Sequence, residues 1–507
     1  MRFKALLLLF CFSIFLSCSD SSGSDDTVTP SDEGEVIIDQ EGEEPDDDDD
    51  NDDVCSIEGD ISISTLAELE DFEATYGDCT LLKGNLSISI PDGGSTDAFS
   101  ALKEVEGFIQ IFNISDTVNL SGLQNIEKIG WFLQIEGVQT TNPEFFSGLK
   151  EVVGNVTIFA SDISGVNLFP SLEIIGGTFR MEQNRSLTEF NGLNNVTSLG
   201  GSVEIQANEL DIIYVFDKLE GEVESILLNN NQVRSIKGFN GDFSAKGALN
   251  LVNYQIFEEV EGFNGLEFVG LGLRLESQSN EQQGTVRING FNSLARVDGF
   301  LNIRNIKALD GFHSLQSVGR SFEISTHLPE GFSGFEKLSQ VEIFDVSLSE
   351  TAIDYPELFP ALRVIELNYT FNYQGDQDLS GFGDLSEVGR DLSLVLSNGG
   401  ESLDGFSNLT NVGGRLSLFS KFTSLENFSS LLFVEGLNLS NNSNLNSLSD
   451  LNDNLVINSY LRVVDNPNLS ACSIDAVCNY LTGSGTISIL NNGSGCNDVY
   501  EIVSNCE

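Results

Sequence analysis

Along most of the chain, apolar residues alternate with polar ones in short bursts, and a glycine usually stands just before each burst. Gly59-Asp60-Ile61-Ser62-Ile63, Gly84-Asn85-Leu86-Ser87-Ile88, Gly107-Phe108-Ile109-Gln110-Ile111, Gly154-Asn155-Val156-Thr157-Ile158, Gly177-Thr178-Phe179-Arg180-Met181 and Gly201-Ser202-Val203-Glu204-Ile205 share the pattern. Alternation with period two over so few residues predicts a short strand with one buried face. The first apolar residue of each strand falls at 61, 86, 109, 133, 156, 179, 203, 226, 249, 273, 301, 322, 341, 365, 392, 416, 437, 461 and 487. From 86 to 273 every step is 23 or 24 residues. So regular a period predicts a mainly β, right-handed parallel solenoid of about nineteen coils, in which each coil buries its apolar edge on its neighbours.

A second motif separates the strands. Gly262-Phe263, Gly311-Phe312, Gly381-Phe382 and Gly405-Phe406 are each followed by Leu three residues after the Phe and Val three residues further on. Apolar residues at every third position suit a tight extended or 3₁₀-like turn facing a core. The chain holds 36 Phe, and the motif places many of them in an interior ladder. The glycines at strand entry allow the chain to reverse where a Cβ would clash.

These two motifs together resemble the receptor L-domain, the leucine-rich-repeat relative found in insulin and epidermal growth factor receptors and in many bacterial surface proteins. Some coils are similar to ordinary leucine-rich repeats: Phe179-x-Met181-x-x-Asn184-x-x-Leu187, Leu437-x-Leu439-x-x-Asn442-x-x-Leu445 and Leu461-x-Val463-x-x-Asn466-x-x-Leu469. The resemblance implies that these asparagines bond backbone groups in the turn. Most coils lack the asparagine, as at Ile306.

The ends differ from the body. Arg2 and Lys4 precede an apolar stretch, Leu6 to Leu16, too short for a stable membrane span, which reads as a secretory signal. It ends Phe15-Leu16-Ser17-Cys18, which resembles the lipobox of bacterial lipoproteins; that likeness implies cleavage over 1–17, acylation of Cys18 (palmitate among the chains) and a membrane anchor. Residues 19 to 53 hold 17 acidic residues and no basic one, so 18–53 is expected to be an extended, solvated tether. Acidic residues soon after Cys18 resemble export signals, which implies an outer-membrane, cell-surface address.

Six cysteines remain in the body, none in the middle of the repeats. Cys55 and Cys79 bracket a helical-looking stretch, Ser64 to Phe72, in an N-terminal cap spanning 54–83, and are expected to pair. Cys472, Cys478, Cys496 and Cys506 lie in a C-terminal cap, 470–507, beyond the solenoid at 84–469, and allow three connectivities. Covalent caps over exposed terminal coils fit an exported protein.

Charge then narrows the partners. The chain carries 78 acidic against 24 basic residues, and from Val54 onward 61 against 22, which excludes recognition by phosphate neutralisation and hence nucleic acid. Outward strand residues include Glu323, Glu342 and Glu366, expected to stack in register and either splay into water or hold a calcium ion or cationic ligand. Two coils are long, Leu273 to Leu301 with Gln278 to Gly284, and Ile365 to Leu392 with Tyr369 to Gly375. Tyr369, Phe371 and Tyr373 either present an aromatic ligand-binding cluster or continue the inward parity into the core. His313 and His327 lie about a coil apart and read as ordinary surface residues. The acid-rich, base-poor body shows no catalytic constellation and implies no cofactor. The expected function is therefore non-enzymatic recognition or adhesion of a protein or glycan by a monomer. A glycan-uptake lipoprotein, a β-helix polysaccharide lyase and a structural envelope protein are the alternatives.

Overall fold

The computed structural model describes residues 55–91, 93–140, 144–163, 167–229, 231–253, 258–277, 286–326, 331–349, 359–374, 382–396, 405–419 and 421–506. The signal, Cys18, the acidic tether, His327 and Gln278 to Gly284 lie outside them. Residues 54–507 form one compact unit, a parallel β-solenoid of about 17 turns with disulfides near both ends.

One parallel ladder runs the length of the unit. It begins with Ile61–Ile63, Leu86–Ile88, Ile109–Phe112, Leu133–Glu136 and Val156–Phe159, and ends with Thr486–Leu490. Alternate residues point inward, so Leu86 and Ile88, Ile109 and Ile111, and Leu133 and Ile135 are all buried. A second ladder contributes one buried apolar residue per coil, including Leu82, Val105, Ile129, Val152, Ile175 and Leu199. A third, from Glu189–Phe190 to Phe332–Ser333, closes the middle coils. Nearly every β-forming apolar position therefore faces one continuous core.

The Gly-Phe motif forms the turn that joins the faces. At Gly262, Gly290, Gly311 and Gly334 an added Cβ would lie 2.4, 2.1, 2.2 and 1.8 Å from a backbone oxygen of the coil before, so only glycine fits the column. The next residue is left-handed, with φ 58° at Phe263, 60° at Phe291, 61° at Phe312 and 65° at Phe335. That conformation costs about 1–2 kcal/mol for a residue with a Cβ. It throws each ring inward, where centroids stack 5.0 Å apart from Phe263 to Phe291, 4.9 Å to Phe312 and 5.2 Å to Phe335. Fully burying a Phe contributes roughly 1.5–3 kcal/mol, enough to offset the backbone cost. Each turn is then pinned by the Leu N–H three residues on, which donates to the Phe carbonyl, at 3.2 Å for Leu294 and 3.0 Å for Leu315.

The asparagine ladder is present where the sequence suggests it. Asn184 donates from Nδ2 to the Ile158 carbonyl at 3.1 Å and accepts from the Ser161 N–H at 2.9 Å. Asn208 and Asn231 repeat the arrangement, as do Asn466 and Asn492 near the other end, while the Asn442 side chain only donates, to the Leu418 carbonyl. Coils without asparagine use hydroxyls: Ser161 accepts from the Val138 N–H at 3.2 Å, and Thr326 from the Ile306 N–H at 2.9 Å.

Both ends are capped. Helix α1, Leu66–Tyr76, starts in a capping box between Thr65 and Glu68 and buries Leu69 and Phe72 on the first coils. Cys55 pairs with Cys79. Cys472 pairs with Cys496, while Cys478 pairs with Cys506, joining helix α2, Asp475–Leu481, to the end of α3, Val499–Val503.

Two predictions follow from the core. Phe291→Ala removes a ring held between two others and destabilises its coils by about 3–5 kcal/mol, measurable as loss of amide-exchange protection centred on residues 263–312. Tyr369 is buried with its hydroxyl unpartnered, so Tyr369→Phe is expected to stabilise by roughly 1 kcal/mol, read as a higher urea midpoint.

Candidate functional site

The structure relocates two groups of residues singled out in the sequence. Main-ladder pairing matches Phe322 with Phe344 and Phe344 with Tyr369, not with Val341 and Ile365, which belong to the second ladder. The corner between Val341 and Phe344 is one residue shorter than the corner between Val318 and Phe322. Val341-Glu342-Ile343 therefore lies in the strand Gln340–Ser349 but spans the step from the second ladder to the main one, where the register shifts. As a consequence Tyr369, Phe371 and Tyr373 lie in the strand Tyr369–Gln374 and face inward, 0%, 0% and 5% exposed. Tyr369 stacks on Phe344 at 4.9 Å. They are core, and the expectation of an aromatic ligand site there is corrected.

The glutamate stack is corrected for the same reason. Glu323 pairs in register with Asp345, which pairs with Thr370. Glu342 and Glu366 sit at the corner instead, where Gln340 Nε2 donates to Glu366 at 2.9 Å. Among the described residues no group of three or more His, Cys, Asp or Glu is placed to hold a metal ion. Glu323 accepts from Asn302 Nδ2 at 2.6 Å and lies 3.4 Å from Arg304. His313 sits between carboxylates, 3.1 Å from Asp310 and 3.1 Å from Glu336.

A different site emerges near the N-terminal end of the main face. In the column at the entry to each strand, Gly107, Trp131, Gly154 and Gly177 follow one another, each N–H donating to the carbonyl of the residue before it in the column. Crowding explains the glycines: a Cβ on Gly107 would sit 2.5 Å from the Gly84 oxygen. Trp131 interrupts the glycines, as Glu224, Leu271 and Arg320 do further along, and is 58% exposed.

The next column departs from its usual occupant at Phe132, in the coil of Trp131, and at Phe108, in the coil before it. Its usual occupant is a small polar residue that accepts the backbone N–H of the following coil: Asp60 from Asn85 at 2.9 Å, Asn85 from Phe108 at 3.0 Å, Asn155 from Thr178 at 2.8 Å. Phe108 and Phe132 stand in this column and cannot accept. Their rings stack at 4.8 Å, and Trp131 meets Phe132 edge-on at 5.1 Å. All three are at least partly exposed.

Further along the same two strands the outward residues are Gln110 and Phe112, and Gln134 and Glu136. Gln110 Nε2 donates to Gln134 Oε1 at 2.9 Å, and Gln134 Nε2 donates to Glu136 Oε2 at 2.9 Å. Gln110, Ile111, Phe112, Asn113, Gln134 and Glu136 line a surface cavity of about 260 Å³. The site thus joins exposed rings, an ordered amide relay and a hollow on one face. The sequence held a signal for it, a lone Trp in a run of strand-entry glycines, but that signal becomes visible only once the columns are aligned.

No protein-family model matches the chain.

Electrostatics along the face yield a test of the corrected register. The Asp345 carboxyl is pushed up, first because its surroundings remove water and then because Glu323 lies beside it, against the pull of Arg304. A carboxyl raised on folding stabilises the native state while protonated and loses that contribution as pH rises through its folded range. Asp345→Asn is therefore expected to raise the thermal midpoint at about pH 7 and to give little or no gain near about pH 3. Equal gains at both, measured calorimetrically, would contradict a carboxyl raised on folding at Asp345.

Proposed function

We propose that the protein is a lipid-anchored, surface-displayed recognition or adhesion module, related in architecture to receptor L-domains and leucine-rich repeats. It binds a protein or glycan through the face around Phe108, Trp131 and Phe132. The observation that carries this reading is the cluster of Phe108, Trp131 and Phe132, three rings in mutual contact and all at least partly exposed. A contiguous apolar patch, unlike a scattered exposed side chain, marks a surface that a partner covers. Two adjacent coils place Phe where their neighbours carry a polar cap, as the coil of Phe300 does further along.

The address is supported by Arg2, Lys4, the apolar stretch to Leu16 and Cys18. The three disulfides fit an oxidising compartment outside the cytosol. Cys18 acylation anchors the chain, and the acidic tether of residues 19 to 53 sets the solenoid off from the lipid.

Trp131→Gly restores the residue type of the flanking coils. In binding screens of the full chain against surface proteins and glycans, the variant should keep the parental unfolding midpoint and lose at least about tenfold in affinity, or about 1.4 kcal/mol. Partners whose binding is all indifferent to Trp131→Gly would overturn the assignment of this face.

A further inference from the structure

We infer that the ligand of this face is a neutral glycan, its sugar rings laid along the strands Ile109–Phe112 and Leu133–Glu136. This rests on the reading of the face as a recognition surface and specifies its chemistry. A pyranose offers two kinds of surface: a flat face of C–H bonds and a rim of hydroxyls that both donate and accept. The exposed faces of Trp131, Phe132 and Phe108 carry the negative quadrupole that suits polarised C–H groups.

The amide relay supplies the second half. Because Gln110 donates to Gln134 and Gln134 to Glu136, both amides are held in a fixed orientation. Each Gln retains a second N–H, and Gln110 Oε1 and the Glu136 carboxylate still have lone pairs to accept with. Alternating donors and acceptors at fixed spacing match vicinal hydroxyls. Phe108, Gln110 and Phe112 are successive outward residues of one strand, so the row spans roughly 13 Å at strand rise. That length exceeds one sugar ring and calls for an oligosaccharide.

The hollow of about 260 Å³ lined by Phe112, Asn113 and Glu136 is near the lower end of small-ligand sites, about 300 Å³. It lies at the far end of the row from the rings. Charge selects among glycans. Glu136 stands in the site, and the body carries 61 acidic against 22 basic residues; the repulsion disfavours sulfated or uronic polymers. A protein hot spot instead sits in a desolvated pocket ringed by a rim, whereas Trp131 stands on an open corner.

The chain contains a single Trp, so its fluorescence reports on this site alone. The full chain is titrated with cellohexaose, mannohexaose, maltohexaose and chitohexaose up to about 10 mM, where even weak sites of millimolar Kd fill, with heparin as a polyanionic control. At least one neutral oligosaccharide should shift Trp131 emission to the blue and protect it from acrylamide quenching, while heparin does neither. Gln134→Ala should weaken that response at least tenfold without changing the unfolding midpoint, since Gln134 is a surface residue of the relay. A response to heparin alone, or none from any neutral sugar, overturns the inference. If peptides or surface proteins move Trp131 emission where sugars do not, the recognition face stands and the glycan assignment falls. If partners bind while Trp131 emission never moves, the face itself is wrong.

Discussion

The contact on which this structure depends is backbone against backbone at the glycine columns. Each coil can stack on the next at strand spacing only if every corner brings main chain within van der Waals distance of main chain. At Gly290 and Gly334 the room for a Cβ is occupied by a carbonyl oxygen of the preceding coil. That closeness forces the following residue into a left-handed turn and so aims a phenylalanine inward. The ring ladder is then the energetic return on a strained corner, repeated from Phe239 through Phe335. Asparagine and hydroxyl ladders do the same service at another corner, satisfying turn N–H groups that strands leave over.

Stacking like on like creates an electrostatic difficulty, because equal positions in successive coils bring equal charges within about 4.8 Å backbone spacing. The chain avoids this by alternating sign across coils. Lys83 meets Glu58, Lys150 meets Glu127, Lys128 meets Glu151, and Lys237 meets Glu261, at 2.9, 2.7, 3.1 and 2.6 Å. Each pair is exposed or half-exposed, so solvent and salt screen it and its contribution to stability is small. Their role is to prevent columns of one sign. At Asp345, where loss of water and then the neighbouring Glu323 act together, the carboxyl is pushed toward its protonated form.

Much of the fold was legible because solenoid sequence and structure share one dimension. The strand period from 86 to 273, the Phe ladder, the inward parity and the Cys55–Cys79 pair all follow from spacing. Legibility failed at Val341 and Ile365 because two ladders both offer an apolar residue followed by a polar one. Only the number of residues in the corner between them tells the ladders apart. When that corner lost a residue between Val341 and Phe344, the pattern locked on to the wrong ladder. The stack through Glu342 fails for that reason, while the inward parity offered for Tyr369 holds. Alternation fixes which residues of a strand face inward; it does not fix which strand is which.

The same one-dimensionality makes function readable as deviation. In a repeat, each column states what packing requires at that position, many times over, within one chain. A residue that departs from its column yet stays in register is under some other constraint. Ser161 and Thr326 depart from the asparagine column and keep its hydrogen bond, so they are substitutions within the structural rule. Trp131, Phe108 and Phe132 depart and keep nothing: glycine's clearance and the cap's acceptor are both given up, at adjacent coils, for exposed rings. Three rings in contact on the solvent side of the sheet, beside the aligned Gln110 and Gln134 amides, point to a cause outside the fold.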